Sequence, residues 1–267
     1  MRGKLSALLI GIMLLAFVGG CASKPEASTE YIGILSAMDN EIAILLEEAE
    51  IDHVDTIADV DYHIGTLHGQ PVIIARVGIG KVRAASSATA MLLQYPISKV
   101  IFTGIAGGVA EETQVLDEVI GTRLVEHDYG TLSNDGFEWS SIDSGLGDEE
   151  ETYYECDPQL VKLAYDTAVE LIGEEHVFQG TIATGDQFIA NSEYVEKLRR
   201  DYDAYACEME GAAVAVVCIK FDTPFVILRA LSDKADGKAH SSYENFGDTA
   251  ADNSSRIVIK MLESIGK

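Results

Sequence analysis

Cys207-Glu208-Met209-Glu210-Gly211-Ala212-Ala213 joins a strand-like segment, Asp203–Cys207, to a helix-like one, Met209–Lys220. A strand running straight into a helix of small apolar residues is the signature of an α/β layer. Two carboxylates stand at the junction. Acidic residues are favourable at a helix start, where free N–H groups and the positive end of the dipole lie. The structural reading of Glu208 and Glu210 is therefore helix capping. The functional reading is a carboxylate held at the mouth of a cleft to bind hydroxyl groups.

Working outward, the 267-residue chain is 47% hydrophobic and 24% charged, enough for one large α/β domain. Its formal charge of -25 repels nucleic acid and polyanions, so neither is expected as a partner. Residues 1–20 read as a signal peptide. Arg2 and Lys4 precede the apolar run Leu5–Val18, and Gly19-Gly20-Cys21 closes it. Such a run is too short for a stable spanning helix. The terminal cysteine predicts cleavage before Cys21, its lipidation, and anchoring outside the cytoplasm at a bacterial membrane. Residues 21–30 then form a polar tether, and residues 31–267 a single domain. Cys156, Cys207 and Cys218 have no disulfide or zinc spacing. Neither a metal nor a cofactor is expected.

Tyr31–Ser36 reads as the first strand, and Asp39 as the cap of a helix reaching Glu48. Glu41 falls in its first turn, where open α/β sheets place ligands. Asp61–Leu67 and Pro71–Val77 predict a hairpin, which makes the sheet mixed. Gly78-Ile79-Gly80-Lys81 leads into a helix over Val82–Gln94. It is neither a dinucleotide fingerprint nor a Walker A loop. The strand Lys99–Thr103 opens into Gly104-Ile105-Ala106-Gly107-Gly108-Val109, expected as a loop whose bare backbone suits a flat ring. A strand is read over Leu116–Val125, a helix over Asp157–Ile172 and a short strand over Gly180–Ala183. Residues His127–Asp148 read as a surface or subunit-contact excursion. Phe188 and Ile189 lie in a loop after the short strand. Pro224–Leu231 is an apolar strand ending in Ser232-Asp233. Gly237–Gly247 reads as a loop with Lys238 and His240 as lid residues, and Thr249–Ile265 as the closing helix.

The ordered set then becomes specific. Ala37-Met38-x-x-Glu41, Gly78-Ile79-Gly80-Lys81, Thr103-Gly104-x-Ala106-Gly107-Gly108, Thr184-Gly185-Asp186-x-Phe188, Glu208-Met209-Glu210-Gly211 and Arg229-Ala230-x-Ser232-Asp233 resemble the 5'-methylthioadenosine/S-adenosylhomocysteine nucleosidases. The resemblance runs from Tyr31 to the C-terminus. It implies a three-layer α/β/α sandwich with a mixed central sheet, nucleoside phosphorylase-like, and a homodimer. It implies hydrolysis of an adenine thionucleoside, with Glu41 activating water and Asp233, helped by Ser232, serving adenine N7. Glu210 would bind the ribose hydroxyls, Met209 would lie beneath the sugar, and Glu208 would assist. Phe188 would stack on adenine, with the Ile189 main chain at its edge. Gly78, Ile79, Ala106 and Gly107 would complete the pocket.

Two departures stand out. Val77 replaces a residue often polar in that family, and Arg76 before it leaves phosphate binding open beside an ordinary strand position. His127–Phe137 also differs from the segment that commonly completes the 5' pocket across the dimer. The alternatives are a phosphate-dependent purine nucleoside phosphorylase and a non-enzymatic nucleoside-binding lipoprotein.

Overall fold

A computed structural model of the chain describes residues 29–139 and 153–265. The leader, Cys21 and most of the tether lie outside the described residues, as does the second half of the 127–148 excursion.

The chain opens with β1 (Tyr31–Ser36) and α1 (Asp39–Glu48), followed by β2 (Glu50–Ile57), β3 (Val60–Leu67) and β4 (Gln70–Arg76). Next come α2 (Lys81–Gln94), β5 (Ile97–Phe102), β6 (Ile105–Gly108) and β7 (Glu118–Glu126). A small hairpin, β8 (Gly130–Ser133) and β9 (Gly136–Trp139), precedes β10 (Tyr154–Glu155), α3 (Pro158–Ile172) and β11 (Val177–Thr184). The remainder is α4 (Ser192–Tyr202), β12 (Ala204–Glu208), α5 (Gly211–Lys220), β13 (Phe225–Asp233) and α6 (Ala239–Ile265).

Eleven strands form one mixed sheet in the order β10-β7-β11-β12-β6-β13-β5-β1-β4-β3-β2. In its middle, β1 lies parallel to β4 and β5, and β13 lies parallel to β5 and β6. Helices α1 and α3 pack with α6, and α2 packs with α5, giving the two outer layers. The sheet also pairs β7 with β13, so β7, β11, β12, β6 and β13 close into a ring. All nine residues of β13 are consequently buried. Ile34 of β1 stands between Ile74 and Ile101 in register, all fully buried. Each such side chain contributes roughly 1.5–3 kcal/mol on leaving water.

Several expectations change. Asp39 is not the cap of α1; Met38 holds that position, and Glu41 reaches back to its N–H while Asp39 pairs with Arg76. The expected loop at Gly104–Val109 contains β6, which pairs antiparallel with β12 and parallel with β13. Small residues allow that squeeze: a Cβ on Gly107 would lie 2.9 Å from Ala235 Cβ. Much of the expected Gly237–Gly247 loop is the start of α6. Sequence reading passed over β2, an edge strand with a mostly exposed, polar face, and α4.

Candidate active site

The carboxyl ends of β1, β12 and β13 converge on one cleft of ≈ 290 Å³, with β6 as its back wall. Such a position follows from parallel strands leaving their helices on the sheet faces. Glu41, Ile79, Ala106 and Gly107 line it, as do Phe188 and Ile189. So do Glu208, Met209, Glu210, Ser232 and Asp233. Gly78 does not: it lies in the turn outside the cleft, against the stem of Arg83.

At one end is Asp233, 2% exposed. Ser232 Oγ donates to its Oδ2 at 2.8 Å, and the Ala235 N–H donates to Oδ1 at 2.7 Å. Burial pushes its pKa up, against the pull of those two hydrogen bonds; the Asp236 charge adds to the rise. Gly107 faces this carboxyl in the ladder, where a side chain would stand 3.1 Å from Asp233 Oδ1. Bare β6 backbone therefore forms a flat wall beside the acid. Phe188 stacks on His240 at 4.6 Å and meets Tyr243 edge-on at 6.2 Å. His240, read from sequence as a lid residue, thus lines the cleft, whereas Lys238 does not.

At the other end, three glutamates surround one buried guanidinium. Arg229 Nη2 lies 2.6 Å from Glu208 Oε2 and 4.0 Å from Glu210 Oε2, and its Cζ lies 4.3 Å from the Phe102 ring centre. Glu208 also accepts from Thr184 Oγ1, from the Glu210 N–H at 3.1 Å and from the Gly211 N–H at 2.7 Å. Both its oxygens are thereby occupied. The helix-capping reading belongs to Glu208, at the start of α5. Glu210 Oε1 accepts only the Gly80 N–H, at 2.8 Å, leaving acceptor capacity toward the cleft. Its pKa is pushed up to about 8, first by burial and then by the neighbouring Glu208 charge.

Gly80 presents that N–H because its φ of 98° is open to glycine. Its turn is pinned: Asp186 Oδ1 accepts the Lys81 N–H at 2.9 Å, Lys81 Nζ reaches Asp128 at 2.7 Å, and Asp128 Oδ2 accepts the Asp186 N–H at 2.8 Å. His127 and Asp128, read from sequence as the start of a surface or subunit-contact excursion, are a neighbour and a member of this ion-paired brace.

Glu41 completes the site. Its Oε2 accepts the Ala37 and Met38 N–H groups at 2.8 Å each, and its Oε1 accepts the Ile105 N–H at 2.9 Å. Burial raises its pKa, while the Arg229 charge and these donors favour the ionised form. A Cβ at Gly104 would lie 2.5 Å from Glu41 Oε1, so the carboxylate fits only against a glycine.

Sequence reasoning missed Arg229 and Tyr243 as site residues. Arg229 had a signal: it is the one cation inside the apolar strand β13, and a buried charge demands partners. Arg76 lies outside the cleft, with its Nε 2.8 Å from Asp39.

A family model for the phosphorylase superfamily matches residues 31–263. The 5'-methylthioadenosine/S-adenosylhomocysteine nucleosidase of Bacillus subtilis (strain 168) is 39% identical over 235 residues, 88% of this chain and 99% of that protein. The crystal structure of the nucleosidase of that name from Neisseria meningitidis, in complex with methylthio-immucillin-A, matches with a TM-score of 0.79 at 34% identity, covering 88% of this chain and 99% of that one. The native structure of futalosine hydrolase from Helicobacter pylori strain 26695 matches with a TM-score of 0.78 at 34% identity, covering 88% and 98%. With its fold, its cleft and these relatives in agreement, the chain belongs to the phosphorylase superfamily, within the 5'-methylthioadenosine/S-adenosylhomocysteine nucleosidase family.

Proposed function

We propose that this protein hydrolyses the N-glycosidic bond of 5'-methylthioadenosine, S-adenosylhomocysteine or both, releasing adenine and the 5'-thioribose. The observation that carries this reading is one cleft with a buried acid at one end and a carboxylate cluster at the other. Adenine leaves poorly as an anion. Asp233, favoured in its protonated form by burial, delivers a proton to N7 as the C1'–N9 bond breaks. The bonding electrons pass into the purine, and positive charge grows on the ribose. Glu210 accepts hydrogen bonds from the ribose hydroxyls, and the carboxylates around the sugar stabilise that charge. Water adds to C1', and its proton passes to Glu41. Met209 lies beneath the sugar, and Phe188 supplies a stacking face for adenine. Arg229 and Thr184 hold Glu208, which in turn fixes the start of α5 below Glu210.

A phosphorylase needs cations beside the sugar to hold phosphate. Among the described residues lining the cleft there is no lysine or arginine, and Arg76 is engaged with Asp39 outside it. Incubating the protein with methylthioadenosine, with and without phosphate, tests the reading. Adenine and a free reducing sugar are expected at equal rates in both. A strict phosphate requirement with a sugar 1-phosphate product would overturn it, and a retained nucleoside without turnover would support a binding protein.

Two further parts of the proposal concern setting. The order of Arg2, Lys4, Leu5–Val18 and Cys21 supports a lipid-anchored, extracytoplasmic enzyme, and the family match beginning at residue 31 fits a tether before the domain. Cys21→Ser should move the protein from the membrane to the soluble fraction. The resemblance to the nucleosidases supports pairing of two copies. Sedimentation should give twice the chain mass.

A further inference from the structure

One fully buried carboxyl has no place in the cleft. Glu118 opens β7, where the other buried side chains are Val119, Ile120, Leu124 and Val125. In the ladder it faces Ala230 of β13, the neighbour of Arg229, and it feels the Arg229 charge. A leucine at this position would be buried at no cost, whereas a carboxyl gives up its hydration. Glu118 regains one hydrogen bond: its Oε1 accepts from Ser254 Oγ at 3.1 Å, and its Oε2 has no hydrogen-bond partner among the described residues. Stability therefore does not account for this carboxyl, and a buried polar group kept at such a cost points to function.

The bond from Ser254 has a continuation. Ser254 Oγ lies 2.7 Å from Thr103 Oγ1. Ser254 has one hydroxyl proton and spends it on Glu118, so Thr103 donates to Ser254. Thr103 starts the junction Thr103-Gly104-Ile105 between β5 and β6. Its carbonyl accepts from Ser36 Oγ at 2.8 Å, and the Ala230 N–H donates to Gly104 O at 3.0 Å. The junction ends in the Ile105 N–H, which donates to Glu41 Oε1 at 2.9 Å. From the next position of α6, Ser255 Oγ donates to Glu41 O at 2.7 Å. Ser36, Thr103, Ser254 and Ser255 are all buried. Two adjacent serines of α6 thus grip Glu41 twice, Ser255 through its main chain and Ser254 through the junction that holds its carboxylate.

On the hydrolase reading above, we propose that Glu118 is a positioning residue for Glu41: through Ser254 and Thr103 it fixes the junction whose Ile105 N–H aims the water-activating carboxylate. The direction of the hydroxyl chain is what Glu118 supplies. With no acceptor at position 118, the Ser254 proton turns toward Thr103, the Thr103 proton loses its partner, and the junction loses its side-chain tie. A base that takes a proton from water attacking C1' depends on such placement, because small displacements from the reacting geometry are costly in rate.

Adenine release from methylthioadenosine and thermal unfolding, measured together on the full-length protein, test this. Glu118→Leu should lower kcat about fivefold, the scale of one hydrogen bond, with KM changed by less than about twofold. Its melting temperature should rise, because a buried carboxyl is gone. Ser254→Ala should lower kcat to the same extent, and the two changes combined should lower it no further. Glu118→Gln keeps an acceptor for Ser254 and should recover most of the loss. The acid limb of the kcat–pH profile should move to higher pH in Glu118→Leu and Ser254→Ala, because a loosened Ile105 N–H favours ionised Glu41 less. Arg229, Glu210 and Tyr243, the other titratable groups that bear on Glu41, are unaltered in all three variants. Unchanged kcat, independent losses in the double variant, or a kcat that falls only in step with stability would overturn the proposal. Hydrogen exchange at the Ile105 amide needs no substrate. It should quicken about fivefold in Glu118→Leu and Ser254→Ala and not in Glu118→Gln; unchanged exchange would overturn the positioning role. If Glu118→Leu does not fold, Ser254→Ala carries both comparisons. If the unaltered protein releases no adenine, the hydrolase reading fails by itself, and the exchange measurement still decides the tie between Glu118 and the junction.

Discussion

At the purine end, Asp233 takes both of its hydrogen bonds from within two residues of itself, Ser232 Oγ and the Ala235 N–H. At the ribose end local donors are only part of the support: the Glu210 and Gly211 N–H groups bond Glu208, and the rest comes from distant parts of the chain. Glu208 is held by Thr184 and Arg229, Glu210 by Gly80, and Glu41 by Ile105 as well as its own helix start. The acid needs one depressed solvent exposure and little else. The carboxylate cluster needs a cation, and that cation must be buried with it. Arg229 meets the need from the middle of β13, the strand that carries Asp233 at its end. One strand thus serves both ends of the cleft, but only the purine end is written into its own sequence.

The difference can be broken from the ribose side first. Arg229→Leu leaves Glu208 buried without its cation, and removing one partner of such a pair costs about 3–5 kcal/mol. Denaturant unfolding should show that loss; unchanged stability would mean the cluster does not depend on the guanidinium. Glu41→Gln keeps the shape of the side chain but removes the base. Its kcat should fall by about 10²-fold or more with little change in KM, and a pure KM effect would reassign Glu41 to binding.

Titration sharpens the comparison. Glu118, which feels the Arg229 charge, is fully buried, with its Oε1 accepting from Ser254 Oγ at 3.1 Å and its Oε2 without a hydrogen-bond partner among the described residues. Burial pushes its pKa up to about 8, as it does for Glu210. A carboxyl with a raised folded-state pKa keeps its proton when the unfolded chain has lost it, so stability falls as pH rises from about 4.5 to about 8. Thermal unfolding should show that decline, and Glu118→Gln should remove about 1–3 kcal/mol of it. A flat profile in the unaltered protein would contradict the burial argument. The smallest effect is expected for Thr184→Val. It deletes the hydroxyl that donates to Glu208 and accepts from the Ala212 N–H, at about 1–2 kcal/mol of stability. A loss as large as that of Arg229→Leu would show that Thr184, and not the cation, organises Glu208.

The same contrast explains what the sequence made legible. Ser232-Asp233 and Glu208-Met209-Glu210 sit at strand ends, where an apolar run stops and the chemistry of the next residues is conspicuous. The mixed sheet followed from the hairpin of β3 and β4 set among strand–helix units. The order of motifs placed every expected pocket residue at the cleft except Gly78, which lies outside it against the stem of Arg83, but it did not reveal Arg229 or Tyr243. What was not legible depends on long-range pairing. Ile105–Gly108 has a loop's composition and becomes a strand because two other strands close around it. Edge strand β2 has a polar face and pairs on one side only, so it has little apolar alternation. Helix α4 did carry a signal, Asn191 as cap followed by buried Val195, Leu198 and Tyr202 at helical spacing. The division of labour between Glu208 and Glu210 required the positions of Arg229, Thr184 and Gly80.

Single-turnover adenine release by Asp233→Asn, measured with nucleoside binding on the same preparation, tests the account most directly. Asparagine keeps the size of the side chain and the reach of Ser232 but cannot deliver the proton. Release should fall by about 10³-fold while binding stays within about tenfold of the unaltered protein. Release close to the unaltered rate would contradict the assignment of the buried acid, and with it the reading of the cleft as two ends with separate tasks.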